Sequence, residues 1–226
     1  MEWLNDSHEN VFDALISVSS PLMKEGTHRL VEDFGSEHRA FFDVLGAISM
    51  GHTTRARIET YLDTGVGPVL EKLEADFDII RKMRPITSKE TSRDVRYEVL
   101  DPFLKFWFRF IYANRSAVEI ENYEFVKEIV KRDFNVYSGK FLEKYFIEKL
   151  KLINDYSNIG TYWEKANQNE IDIVAINDLD KKALIAEVKI NPKKIDLEIL
   201  KQKAKKLEKE LNTYECEYLG FSLNDM

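Results

Sequence analysis

The segment 170–190 constrains the fold more than any other part of the chain. Two apolar runs, EIDIVAI (170–176) and ALIAEVKI (183–190), flank a polar stretch, NDLDKK (177–182), that is rich in turn formers. Such runs read as buried strands, and the short link predicts an antiparallel hairpin. In the simplest register, residues whose numbers sum to 359 lie opposite one another. Asp172 then faces Glu187, with Cβ atoms roughly 5 Å apart. Lys189 is two residues beyond Glu187 and shares its side of the sheet. Two carboxylates and an ammonium thus converge on an otherwise oily surface. Unpaired charges there are costly, which points to a divalent cation as a partner. The plainer alternative places Glu187 and Lys189 on the solvent side of an edge strand. Against it, Val174, Ala175, Ile176, Leu184, Ile185 and Ala186 leave no consistently polar side.

Composition excludes several other chemistries. A single cysteine, Cys216, rules out a disulfide framework or a cysteine-based zinc site and fits a reducing, cytoplasmic setting. The histidines (His8, His28, His38, His52) lack metal-ligand spacing. No apolar run is long enough to span a membrane; Phe103–Tyr112 is interrupted by Lys105 and Arg109. The net charge of −7 argues against a surface coated for nucleic acid, but the charge is unevenly spread. Residues 181–209 carry ten basic and four acidic side chains, and Arg81–Arg96 carries six basic and two acidic, so phosphate binding is expected locally.

Along the chain, residues 1–36 read as an acidic helical lead-in. Residues 37–116 show three short helices, Glu37–Ser49, Arg55–Leu62 and Val66–Ala75, with Thr53-Thr54 capping the second. A two-stranded ribbon follows, Ile79–Ile86 with Val95–Leu100. This is the layout of a winged helix-turn-helix, whose phosphate contacts would be Arg55, Arg57, Arg84, Lys89 and Arg93. Its presumed recognition helix, GVGPVLEKLEAD, is net acidic, so protein docking remains an alternative to DNA reading. Asp101-Pro102 starts an aromatic helix whose Phe103, Phe106, Trp107, Phe110 and Tyr112 read as core. A connecting helix spans 117–137. From 138 to 226 the order is helix (Ser138–Leu152), strand (Ile159–Glu164), the two strands above, basic helix (Ile195–Leu211) and strand (Glu215–Ser222). That α-β-β-β-α-β order implies a mixed α/β sandwich.

The order, with an acid on the first helix (Glu143 in GKFLEKYF), Asp172 in the second strand and E-x-K in the third, resembles the PD-(D/E)XK nuclease superfamily. Glu170-Ile171 precedes the aspartate where many members have proline. A resemblance to the C-terminal region of archaeal-type AAA-class ATPases, which also occur in bacteria, covers nearly the whole chain. It rests on SSPLMKEG (19–26), FFDVLGAISMGHTT (41–54), YEVLDPFLKFWFRFIYANRS (97–116), GKFLEKYF (139–146), YWEKANQNEIDIV (162–174) and LIAEVKI (184–190). In that family a P-loop ATPase module precedes a winged helix and a restriction-endonuclease-like domain. No G-x-x-x-x-G-K-[ST] occurs in this sequence, so ATP hydrolysis is not assigned to these residues.

The resemblance implies phosphodiester hydrolysis with Mg²⁺ or Mn²⁺. Asp172, Glu187 and the Val188 carbonyl would hold the ion, with Glu143 and Glu170 as further ligands. Lys189 would orient or deprotonate the attacking water, or offset charge on phosphorus. Lys193, Lys194, Lys201, Lys203, Lys205 and Lys206 would steer the phosphate backbone, and Gln202 is a weaker candidate for orienting the site. The partner would be nucleic acid, in particular DNA, or a separate P-loop ATPase. The rival expectation is a catalytically inactive module that binds DNA or protein.

Overall fold

The computed structural model describes residues 38–164 and 168–226, together with Ile16, Ser17, Ser20 and Phe34. The expected helical lead-in over 1–36 otherwise lies outside the described residues. The described residues form a mixed α/β structure with two sheets, and the chain divides into two compact units. One comprises the described residues up to Met83 together with Arg96–Asp133; the other comprises Arg84–Val95 and Phe134–Met226.

In the first unit, α1 (His38–Ser49) buries Phe41, Phe42, Val44, Leu45 and Ile48. Helix α2 (Arg55–Leu62) starts at Thr54, whose side chain accepts a hydrogen bond from the Arg57 N–H, and it buries only Ile58. Tyr61 is exposed and stacks on His52 at 4.3 Å between ring centroids. Helix α3 (Gly67–Ala75) buries Leu70 and Leu73. The ribbon is shorter than its sequence pattern, pairing β1 (Ile80–Met83) with β2 (Arg96–Val99).

The aromatic segment also departs from expectation. Asp101 caps α4 (Pro102–Phe106) by accepting from the Leu104 N–H. The chain then widens into a π-helical turn, Trp107–Ile111, before α5 (Arg115–Glu119). Each added residue in a π turn rotates the following side chains. Phe108, within the turn, is fully buried, and Phe103, before it, is exposed. Phe42 meets Trp107, Phe108 and Tyr112 edge-on, with centroids 5.4–5.9 Å apart.

A single 31-residue helix, α6 (Tyr123–Ile153), replaces the two separate helices expected over 118–134 and 138–152. Gly139 does not break it. A mid-helix glycine costs only about 1 kcal/mol, and packing of Val126 and Val130 before it and of Leu142, Phe146 and Leu150 after it outweighs that cost.

The second unit centres on the sheet β3 (Asn158–Tyr162), β4 (Ile171–Asn177), β5 (Lys182–Val188) and β6 (Glu215–Phe221), in that spatial order. β3, β4 and β5 are antiparallel neighbours, whereas β5 and β6 run parallel. A parallel pair needs a crossover, which α7 (Leu197–Glu210) supplies. Leu200, Ala204 and Leu207 of α7 pack on Val174, Ile176, Ala183 and Ile185. On the other face, Leu142, Phe146 and Leu150 of α6 pack on Ile173, Ala175, Leu184, Ala186 and Val188.

Candidate active site

The β4–β5 hairpin has the register its sequence implies. Ile173 pairs with Ala186, Val174 with Ile185 and Asn177 with Lys182, each pair summing to 359. The Asn177 side chain fixes the turn by accepting from the N–H groups of Leu179 and Asp180 at 3.0 and 2.9 Å. A register held at the turn carries Asp172 and Glu187 together at the hairpin's open end.

Strand β4 changes its alternation there. Ile171 packs with the α7-side core and Ile173 with the α6-side core, although the two lie two residues apart. The β3–β4 register shifts between Gly160 and Tyr162 at the same level. Such a bulge re-aims side chains, here Asp172. The Asp172 carboxylate accepts the Val188 N–H at 2.9 Å, one step past the Ile173–Ala186 pair.

Three oxygens surround the Lys189 ammonium: Glu187 Oε1 at 3.1 Å, Val188 O at 3.3 Å and Asp172 Oδ2 at 3.5 Å. The Glu187 side chain is only 7% exposed and also pairs with Lys203 of α7 at 3.0 Å. Burial works against its charge, but the hydrogen bonds from Lys203 and Lys189 prevail and hold its carboxyl below the ordinary value. For Lys189, burial opposes the ammonium, but Asp172 and Glu187 outweigh it and raise its proton affinity. The carboxylates of Asp172 and Glu187 thus favour the ammonium form of Lys189 in this arrangement.

Helix α6 adds a second layer. Lys140 bridges Glu143 at 3.0 Å and Glu170 at 3.4 Å. The Glu143 carboxyl is pushed up to about 7, chiefly by burial, with the charges of Asp172 and Glu170 adding to the effect and Lys140 opposing it. Glu143, Glu170, Asp172, Glu187 and Lys189 thus belong to one linked charge cluster, to which Lys140 and Lys203 contribute. Sequence reasoning treated Lys203 as a steering charge only.

The donor set suits a hard cation. Two carboxylates and a peptide carbonyl already converge on one positive centre, and oxygen donors are what Mg²⁺ prefers. Among the described residues, no group of three or more His, Cys, Asp or Glu side chains is arranged to hold a metal ion. The third oxygen comes from the backbone, and lysines engage the carboxylates.

The other expected phosphate contacts are scattered. Lys193 and Lys194 are exposed in a short 3-10 turn following β5. Lys201 is exposed and pairs with Glu198 at 2.8 Å, and Gln202 is exposed beside it. Neither Lys201 nor Gln202 joins the cluster; the neighbouring Lys203 does. Arg57 is exposed, whereas Arg55 is engaged by Glu59 at 2.8 Å. The Arg84 Nε is buried without a hydrogen-bond partner among the described residues, so that edge of the guanidinium faces no solvent.

Lys89 and Arg93 are exposed on the loop 84–95, which belongs to the second unit. The Ile86 N–H donates to Thr161 O at 2.9 Å and the Trp163 indole donates to Asp94 at 3.2 Å. Trp163 and Tyr162 are buried. No helix among the described residues is long and apolar enough to cross a membrane.

Residues 107–207 match the family DUF234, described as archaeal and bacterial proteins of unknown function. That stretch runs from the π turn into α7 and contains every member of the charge cluster. The chain is also 35% identical over 163 residues to an uncharacterized protein of Methanocaldococcus jannaschii. The alignment covers 68% of this chain and 36% of the relative, so the chain spans about a third of that protein's length. No solved structure matches.

Proposed function

We propose that the second unit is a metal-dependent phosphodiesterase of the restriction-endonuclease-like class, acting on DNA, and that residues 37–116 form a winged helix-turn-helix serving it. The observation that carries this reading is the convergence of Asp172, Glu187 and the Val188 carbonyl on one cation, Lys189 Nζ. The antiparallel, antiparallel, parallel strand order and the flanking helices α6 and α7 support it.

Asp172, Glu187 and the Val188 carbonyl would hold Mg²⁺ or Mn²⁺. When bound, the ion supplies Lewis acidity towards a phosphate oxygen and the attacking water. The chain's own residues do the rest. Glu143, across from Asp172 on α6, orients the water. Lys189 stays protonated and offsets charge that develops on phosphorus. Lys193 and Lys194, and Lys89 and Arg93 of the loop 84–95, draw the phosphate backbone in.

The direct test incubates plasmid, single-stranded and branched DNA with the protein and Mn²⁺. Cleavage is expected on at least one substrate, with a loss of about 100-fold in Lys189→Ala. Cleavage that persists undiminished in Lys189→Ala would remove this site from the chemistry.

A second reading has its own support: Lys189 and Lys203 already neutralise Asp172 and Glu187. On that reading the unit is an inactive module that binds DNA or a P-loop ATPase, and the acidic cluster is structural. Calorimetry that finds no ion bound at millimolar Mn²⁺, with or without nucleotide, would favour it.

A further inference from the structure

The Asp172–Glu187 pair carries two negative charges and meets two ammonium groups, Lys189 at 3.5 and 3.1 Å and Lys203 at 3.0 Å. Both lysines use the same oxygen, Glu187 Oε1. Lys189 comes from the end of β5, and Lys203 projects from α7 across 16 residues of sequence. The charges of these four side chains are therefore already balanced before any ion arrives. A divalent cation that binds through Glu187 Oε1 and Asp172 Oδ2 displaces both ammonium groups from hydrogen-bond distance, and it then adds two positive charges to this group. Like charges a few ångströms apart in a partly buried site repel strongly.

We infer that the site binds a divalent cation and a phosphate anion as a coupled pair, with Lys203 and Lys189 as the gate that makes each depend on the other. The displaced ammonium groups need an anion. A phosphodiester, or a nucleotide's terminal phosphate, supplies both the charge and the acceptor oxygens. Lys203 is thus a positioning residue with two alternative partners: Glu187 in the empty site and the phosphate in the loaded one. This inference rests on the metal-dependent reading above. It adds that the cation alone binds weakly, and that by reciprocity the cation tightens phosphate binding by the same factor.

The test measures Mn²⁺ affinity by calorimetry on the full chain, with and without saturating thymidine 5′-monophosphate. For the wild type, the nucleotide should tighten Mn²⁺ binding by at least about 10-fold, within the range usual for coupled sites. In Lys203→Met, Mn²⁺ alone should bind more tightly than to the wild type, because one competing ammonium is gone. Its response to the nucleotide should fall below about 3-fold, on the same scale of coupling. Lys203→Arg keeps the charge and should retain the coupling, which separates this outcome from a folding defect.

Two results would overturn the inference while leaving the metal site standing. One is Mn²⁺ binding that Asp172→Asn abolishes but thymidine monophosphate does not affect. The other is a Lys203→Met protein, folded by circular dichroism, whose Mn²⁺ affinity falls or whose coupling is unchanged. Absence of Mn²⁺ binding in every protein, with and without nucleotide, would remove the metal-dependent reading itself and this inference with it.

Discussion

Glu143 should make the protein less stable at alkaline pH, and its replacement by glutamine should restore that stability. Its carboxyl is pushed from the ordinary 4.5 to about 7 by burial and by the charges of Asp172 and Glu170. Between those values the folded protein binds a proton that the unfolded chain has released, so stability falls as the pH rises through this window and levels off above it. At about 1.4 kcal/mol for each tenfold change in proton affinity, the full cost above pH 7 is about 3 kcal/mol. Glutamine is neutral throughout and has nearly the same shape. It still offers Lys140 an acceptor, and Lys140 keeps Glu170 as its charged partner. Glu143→Gln should therefore gain less than about 1 kcal/mol at pH 5 and about 3 kcal/mol at pH 8. Urea denaturation at both pH values, with EDTA present, reads the difference. Every other titrating group is common to the two proteins and largely cancels. A glutamine variant less stable than the wild type at pH 8 would refute the argument. It would mean that the ion pair with Lys140 outweighs burial.

Asn177→Ala removes the side chain that holds the Leu179 and Asp180 N–H groups. It should cost about 1–3 kcal/mol in chemical denaturation, since the turn loses two hydrogen bonds. Gly220→Ala places a Cβ 2.3 Å from Ile195 Cγ2, in the connection that leads from β5 into α7. Overpacking of this kind should cost about 1–3 kcal/mol, seen as a lower melting temperature, and an unchanged melting temperature would show that Ile195 yields freely.

Much of this site was legible because β-hairpins obey local rules. The polar link 177–182 and the two apolar runs were enough to set the hairpin register that brings Asp172 and Glu187 to its open end, whereas the aim of Asp172 depends on the β3–β4 irregularity. The helical parts were harder to read. The sequence reads as two helices, yet one helix runs from Tyr123 to Ile153, held by buried side chains on either side of Gly139. In the aromatic segment, Phe103, Phe106, Trp107 and Phe110 share one face of an ideal α-helix. The π turn at Trp107–Ile111 alters that spacing within the segment, where Phe108 is fully buried, whereas Phe103, before the turn, is exposed.

The choice between Gln202 and Lys203 shows where sequence reasoning stopped short, and why. Helix α7 buries Leu200, Ala204 and Leu207. Lys203 lies three residues after Leu200 and four before Leu207, so it borders that buried stripe. Gln202 lies two residues from both Leu200 and Ala204 and falls on the far side. The apolar stripe therefore contained the signal that singles out Lys203 as the side chain able to reach the sheet. What the stripe does not reveal is which carboxylate the lysine meets, because that depends on how α7 packs on β5. The same holds for Lys140, whose reach to Glu170 spans 30 residues of sequence. Local pattern assigns side chains to faces. The pairing of charges across faces is set by tertiary packing, and in this site it is those cross-element pairs that determine whether the carboxylates are available to an ion.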